Sequence, residues 1–162
     1  MNLIRIEKND ADRLAPLVAD FRVTLNGYRG IASPPRVEAA REEIMELLGA
    51  GFPIYAVEEG GALAGYMVCR IDAPCLWVEH LFVREAYRCR GAATLLFEKA
   101  EEIARFMGED TVYNFVHPNN LGMIGFLRSK GYTVLNMIEI RKPYPGETLT
   151  TTIPVGDAVF DY

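Results

Sequence analysis

Apolar residues recur every three or four positions along some stretches of the chain and as short alternating or continuous runs along others. Leu3, Ile4 and Ile6 make a strand-like start, and Asp10 is placed to cap a helix whose stripe is Leu14, Leu17, Val18, Phe21 and Leu25. Asn26-Gly27 and the stretch 30–35 break that pattern. A second helix is expected over about 35–48, with Val37, Ala40, Ile44, Leu47 and Leu48 on its apolar side and Arg41, Glu42, Glu43 and Glu46 toward water. Runs 52–58 and 62–72, joined by Glu59-Gly60-Gly61, signal a hairpin, and 75–83 adds a third strand to give an antiparallel meander. From Ala92 the period turns helical again, with Leu96, Ala100, Ile103 and Met107 on one face and Gly108 as the stop. Beyond lie an expected strand at 111–116, a turn at His117-Pro118-Asn119-Asn120, a short helix at 121–130 ended by Gly131, and a strand at 132–140. After a turn at Pro143, Pro145 and Gly146, alternating Leu149, Thr151 and Ile153 suggest an edge strand. No repeat or linker divides the pattern, so one domain over 1–162 is expected.

Composition narrows the classes of function. Half of the 162 residues are apolar, and 22 acidic against 17 basic side chains leave a net charge of -5. There is no global positive field to attract nucleic acid or anionic lipid, so neither is expected as a partner, and any anionic ligand must be held locally. The apolar run 62–69 falls well short of the roughly 20 residues that cross a bilayer. The charged start Arg5, Glu7, Lys8 and Asp10 does not read as a secretory signal. The three cysteines, Cys69, Cys75 and Cys89, have neither C-x-x-C spacing nor a neighbouring His pair, so no disulfide framework and no metal site are expected. A cytoplasmic location fits these features.

The chemistry concentrates where a strand passes through a short basic turn into a helix. The first turn of a helix leaves its N–H groups without partners, and aligned peptide dipoles add about half a positive charge there. Gly91, Ala92 and Ala93 let a phosphate approach those amides closely, and Arg84, Arg88 and Arg90 bring the positive charge that the whole chain lacks. The bland alternative is a tight turn with solvated arginines. Neither a Walker loop nor G-x-G-x-x-G is present.

The order of elements, together with Arg88-x-x-Gly91-x-Ala93, resembles the GCN5-related N-acetyltransferase (GNAT) superfamily, whose pyrophosphate loop reads Q/R-x-x-G-x-G/A. The resemblance extends from about Trp77 to Lys142, through Glu79-His80-Leu81-Phe82-Val83, the long helix, Asn119-Asn120 and Gly131-Tyr132; the first half agrees in element order only. It implies an α+β fold, a mixed and mostly antiparallel sheet of six to seven strands flanked by about four helices, with two neighbouring strands splayed apart for the pantetheine of acetyl-CoA. By position, Leu81, Phe82 and Val83 would border the pantetheine, the segment Arg88, Cys89, Arg90, Gly91, Ala92, Ala93 and Thr94 would hold the pyrophosphate, and Asn120 and Phe126 would also touch the cofactor. Many family members carry a tyrosine four residues before the glycine that closes the short helix, as general acid for the leaving thiolate. Here that position is Leu127, which leaves the proton to another tyrosine, to water, or to no specialised group.

The implied activity is direct acetyl transfer to a primary amine of a small molecule or peptide. An amine must be neutral to react, and Glu79, a lone carboxylate in an apolar strand, is the candidate base; alternation places it on one face with Trp77, Leu81 and Val83. The other reading of Glu79 is an ion pair with a basic neighbour at the sheet margin. His80, expected on the opposite face, reads as packed or hydrogen-bonded, and Cys89 lacks a partner that would make it an acyl carrier. Tyr28 and Arg29, in the expected loop 26–35, are candidates for the acceptor site. Two further expectations complete the reading: a non-catalytic acyl-CoA-binding or sensing module as the alternative function, and a homodimer through the apolar tail.

Overall fold

The computed structural model describes residues 1–146 and 148–162. They form two compact units, Met1–Phe115 and Val116–Tyr162. The first unit contains β1 (Asn2–Arg5), α1 (Ala11–Tyr28), α2 (Val37–Gly49), β2 (Ile54–Glu59), β3 (Ala62–Asp72), β4 (Cys75–Val83), α3 (Ala92–Phe106) and β5 (Tyr113–Asn114). The second contains α4 (Leu121–Ser129), β6 (Thr152–Val155) and β7 (Ala158–Asp161).

The five strands of the first unit lie in the order β1-β2-β3-β4-β5. All neighbours are antiparallel except β4 and β5, which run parallel. Strand alternation sorts the side chains onto two faces. Ile54, Ala56, Tyr66, Val68 and Phe82 pack against Leu14, Leu17, Val18 and Phe21 of α1 and Ala40 and Ile44 of α2. The opposite face carries α3, whose buried positions are Ala92, Leu96, Phe97, Ala100 and Ala104. The buried side is centred toward Phe97 and Ala104, so Ile103 and Met107 of the expected stripe lie at its half-buried margin. Tyr66 and Phe97, both fully buried, anchor the two layers, and each such side chain contributes about 2 kcal/mol by leaving water.

Two expectations are corrected in the helices. α1 runs through Asn26 and Gly27 to Tyr28, and its last turn closes with Arg29 N donating to Asn26 O at 3.0 Å and Ile31 N donating to Asn26 O at 2.9 Å. The favourable packing of the α1 stripe outweighs the weak helix propensity of two polar or small residues at the end. Asp10 precedes α1, but its carboxylate accepts from Glu7 N at 3.0 Å and so closes the preceding 3-10 turn, with no side-chain cap on α1 itself.

In the second unit the expected strand 132–140 does not form: these residues are extended or irregular, and Val134, Leu135, Met137 and Ile140 are exposed. The sequence alternation there is real, but a strand exists only against a partner, and no strand of the described residues pairs with it. The tail instead makes a hairpin, β6 against β7, with Ile153 opposite Phe160. The expected edge strand at 149–153 thus begins later and has a partner. No described helix is long and apolar enough to cross a membrane.

Candidate functional site

The site is built around an irregularity in β4. Val68 pairs with His80 and Cys69 with Val78, so Glu79 is an extra residue with nothing opposite it. One inserted residue reverses the alternation of everything beyond it. Leu76, Val78, Leu81 and Val83 therefore face α3, whereas Trp77, His80 and Phe82 share the face of α1 and α2. This corrects the expectation that Trp77 lies on one face with Leu81 and Val83.

The same irregularity divides the strand at its outer edge. β5 pairs with Trp77 and Val78 only. From Glu79 to Val83, β4 keeps β3 on one side and has no partner strand on the other among the described residues. On that open stretch the Val83 carbonyl accepts from Arg88 Nε at 3.1 Å. Opposite Val83 lies Gly65, where a Cβ would stand 2.7 Å from Phe82 O and 2.9 Å from Val83 Cγ2, so only glycine lets the two strands approach this closely.

β4 leads through a 3-10 turn at Glu85–Tyr87 and an extended Arg88 into α3. Cys89 has φ 58° and Gly91, at the helix N-cap, φ 91°. This pair of left-handed residues folds the backbone back so that Ala92 starts the helix directly. The first turn has no side-chain cap and no acidic residue, so the N–H groups of Ala92, Ala93 and Thr94 lack intrahelical acceptors and face an uncapped end. The surrounding arginines are engaged: Arg84 with Asp20 at 3.4 Å, Arg90 with Glu59 at 2.9 Å, and Arg88 with Val83. Cys89 is exposed and not in a disulfide.

Glu79 accepts from Arg70 Nε at 2.6 Å, and Arg70 also reaches Asp72 at 3.4 Å and lies 5.4 Å from the Trp77 ring centre. The ion-pair reading of Glu79 is therefore realised in the resting structure. The Glu79 hydrogen bond raises the Arg70 pKa, so the guanidinium is a permanent charge here. Both side chains remain partly exposed. Trp77 in turn stacks on Phe115 at 4.7 Å and on Tyr113 at 4.8 Å.

His80 takes the opposite course and is buried. Its Nε2 lies 3.3 Å from Arg22 Nη2, and its Nδ1 lies 3.3 Å from Tyr66 Oη. A guanidinium only donates, so Nε2 is the acceptor and Nδ1 carries the proton, which it donates to Tyr66. Burial, and then the charge of Arg22, lower the His80 pKa to about 3. Arg22 is itself held by both oxygens of Glu43, at 3.0 and 2.5 Å, and that hydrogen bonding raises its pKa. His80 is thus a neutral structural group.

The remaining candidates are scattered. Phe82 is buried against Phe21, with ring centres 5.8 Å apart, so its side chain is packing. Tyr28 is the half-buried last residue of α1 and Arg29 the exposed residue after it. In the second unit, Asn120 caps α4 by accepting from Met123 N at 3.1 Å, Phe126 is half-buried and Leu127 buried. Arg22, Glu43, Tyr66, Gly65 and Arg70 escape sequence reasoning. Arg70 alone carries a signal, as a single cation in a long apolar strand; the Arg22 to Glu43 pairing joins two helices and leaves no local mark.

Residues 21–132 match the Acetyltransferase (GNAT) family. No curated protein matches in sequence. Among solved structures, the aminoglycoside antibiotic 6'-N-acetyltransferase AAC(6')-IG from Acinetobacter haemolyticus superposes with a TM-score of 0.67 at 14% identity, over 89% of this chain and 99% of that one. The ribosomal-protein-alanine N-acetyltransferase from Brucella melitensis biovar Abortus 2308 gives 0.70 at 14% identity, over 88% and 99%. The aminoglycoside N-acetyltransferase AAC(6')-Iy in complex with CoA gives 0.67 at 14% identity, over 88% and 93%. At these identities the structural likeness speaks for the fold alone. The family match, which covers well over half of the chain and runs across the open β4 edge, the Gly91 turn and α3, makes this protein a member of the GNAT acetyltransferase family.

Proposed function

We propose that the protein transfers an acetyl group from acetyl-CoA to a primary amine by direct transfer, with Glu79 assisting deprotonation of the amine. The observation that carries the reading is the uncapped, Gly91-led start of α3 placed one short turn after the open edge of β4. The family match and the CoA complex of a structural relative support it. Acetyl-CoA, as cosubstrate, supplies a thioester carbonyl carbon for the amine to attack. The amides from Arg88 to Thr94 would hold its pyrophosphate. The main chain of Leu81 and Val83 would pair with the pantetheine arm, the Val83 carbonyl exchanging Arg88 Nε for that new partner.

Glu79 lies on the same strand, two residues before Leu81, and is reachable from solvent. With one oxygen hydrogen-bonded to Arg70, Glu79 acts on the ammonium through its other oxygen or through a water. As the N–C bond forms and the C–S bond breaks, one proton leaves the nitrogen for the sulfur, and the one removed beforehand goes to solvent. With leucine at position 127, the proton returns to the sulfur from another tyrosine or from water, or needs no specialised donor. Alignment of the two reactants supplies most of the acceleration, so a missing acid is tolerable. Relatives of the same fold are named for aminoglycoside and ribosomal-protein alanine amines, and an amine of either size class suits an open edge.

Coenzyme A titration and a thiol-release assay over a panel of amines test the proposal. Micromolar coenzyme A binding and turnover of at least one amine are expected, with kcat falling about 100-fold in Glu79→Gln while coenzyme A affinity holds. Binding without turnover of any amine would identify a sensing module instead, and no coenzyme A binding would sink the reading altogether.

A further inference from the structure

Other arginine-to-carboxylate pairs of the first unit join elements that no ladder connects. Arg22 ties α1 to α2 through Glu43, Arg13 ties α1 to β2 through Glu58, and Arg84 reaches Asp20 of α1. The pair of Arg70 and Glu79 is different, because β3 and β4 are already joined by main-chain pairing on both sides of it. Holding the strands together is therefore not what this pair is needed for. What the ladder leaves unfixed is Glu79 itself, which has nothing opposite it in β3.

A glutamate without a neighbour turns about all of its side-chain bonds and spreads its carboxylate over many positions. Arg70 removes that freedom. It stands opposite Trp77, two residues before Glu79 along β4, so its guanidinium meets the carboxylate across the diagonal of the two strands. Nε donates to Oε1 at 2.6 Å, a short charge-assisted bond, and no described residue bonds Oε2. The guanidinium is fixed in its turn: its central carbon lies 5.4 Å from the Trp77 ring centre, and Nη1 lies 3.4 Å from Asp72 Oδ2. A lysine ammonium in that place would have freely rotating donors and no plane to lay against the ring.

We propose that Arg70 is a positioning residue for the transfer: by fixing Oε1 of Glu79 it aims Oε2 at the incoming amine, and the pair stays closed through the reaction. This rests on the reading of Glu79 as the base and extends it, since the ion pair is then the working arrangement and not one that must open first. Oε2 takes the proton from the ammonium and passes it to solvent, while Arg70 keeps its own charge and touches neither substrate.

Steady-state kinetics in two backgrounds test this, with whichever of kanamycin, spermidine and an alanyl peptide the parent acetylates fastest. In the parent, Arg70→Gln should lower kcat about tenfold, with the amine KM and coenzyme A affinity held within about twofold, and Arg70→Lys should lower kcat only about threefold. In Glu79→Gln, where the base is already gone, adding Arg70→Gln should change kcat by less than about twofold. Melting temperatures are measured alongside, and Arg70→Lys carries the comparison where Arg70→Gln does not fold. Equal kcat losses in the two backgrounds, a kcat that rises when Arg70 is removed, or a loss confined to melting temperature or coenzyme A affinity overturns this inference and leaves the acetyltransferase reading intact. An unchanged kcat in Glu79→Gln overturns the role of Glu79 and this inference with it. Failure of the parent to acetylate any amine overturns the acetyltransferase reading as well.

Discussion

Between Cys75 and Val78, β4 has β3 on one edge and β5 reaching the other; between His80 and Val83 it has, among the described residues, β3 alone. The two halves have nearly the same composition of apolar residues, so hydrophobicity does not distinguish them. Glu79 does. By adding one residue opposite none, it exchanges the two faces, and the parallel pairing with β5 stops at the residue before it. The first half is ordinary sheet, whereas the second has an outer edge without a strand partner among the described residues, the edge that the proposed function gives to the pantetheine. A single insertion thus changes which face each side chain takes without changing the kind of side chain used.

The contrast can be attacked most strongly through His80, which packs the open half onto α1 through Phe21 and is faced by Arg22, Glu43 and Tyr66. In the unfolded chain the imidazole takes a proton near pH 6.5, but in the folded protein it resists until about pH 3. Unfolding therefore takes up a proton in that window, and stability falls as pH drops through it, with no contribution above it. The slope approaches about 1.4 kcal/mol per pH unit only below the unfolded pKa, so the loss from pH 6.5 to 4.5 should be about 2 kcal/mol. Urea denaturation as a function of pH should show this slope, and His80→Phe should flatten it; an equal slope in the variant would remove His80 as the cause.

A smaller effect is expected from Gly65→Ala. The new methyl would press on Phe82 O and Val83 Cγ2 and push the open half away from its one remaining neighbour. Overpacking of this kind costs about 2 kcal/mol, to be read from the denaturation midpoint, together with weakened coenzyme A binding. Retention of both stability and affinity would mean that the close approach of β3 and β4 is not required.

Gly91→Ala should have the mildest effect on stability. Among the described residues, nothing beyond its chain neighbours lies within 4 Å of the added Cβ, so the cost is that of the left-handed backbone, about 1 kcal/mol. The consequence for ligand should exceed that for folding, because shifting the turn misaims the amides of Ala92 to Thr94. A roughly fivefold loss of coenzyme A affinity by calorimetry is expected, and an unchanged affinity would argue that the cradle lies elsewhere.

The sequence made the helix-starting turn legible because its signal is local: glycine, two alanines and arginines within seven positions. The meander and the buried stripes of α1, α2 and α3 were legible for the same reason, since period and breaker residues are local too. The irregularity at Glu79 was not, because it is a property of how two strands are matched, and alternation in β4 alone points Trp77 to the wrong face. The stretch 132–140 failed in the opposite way, with a clear strand pattern but no partner in the described residues. Glu79 shows both limits together: its polarity marked it as special, while Arg70, nine positions earlier, was needed to say what it touches.

The arginines around the Gly91 turn are each bound within the protein before any ligand arrives, Arg84 to α1 and Arg90 to the end of β2. On the proposed reading, a diphosphate that recruits these two guanidiniums in addition to the amides competes with carboxylates already in place, so their electrostatic contribution is the difference between two ion pairs and not the sum of new ones. Such an exchange rewards a ligand with many simultaneous contacts and discriminates against small anions such as inorganic phosphate, which have only charge to offer. It also blunts the response of binding to ionic strength, since salt weakens the resting and the bound pairs alike.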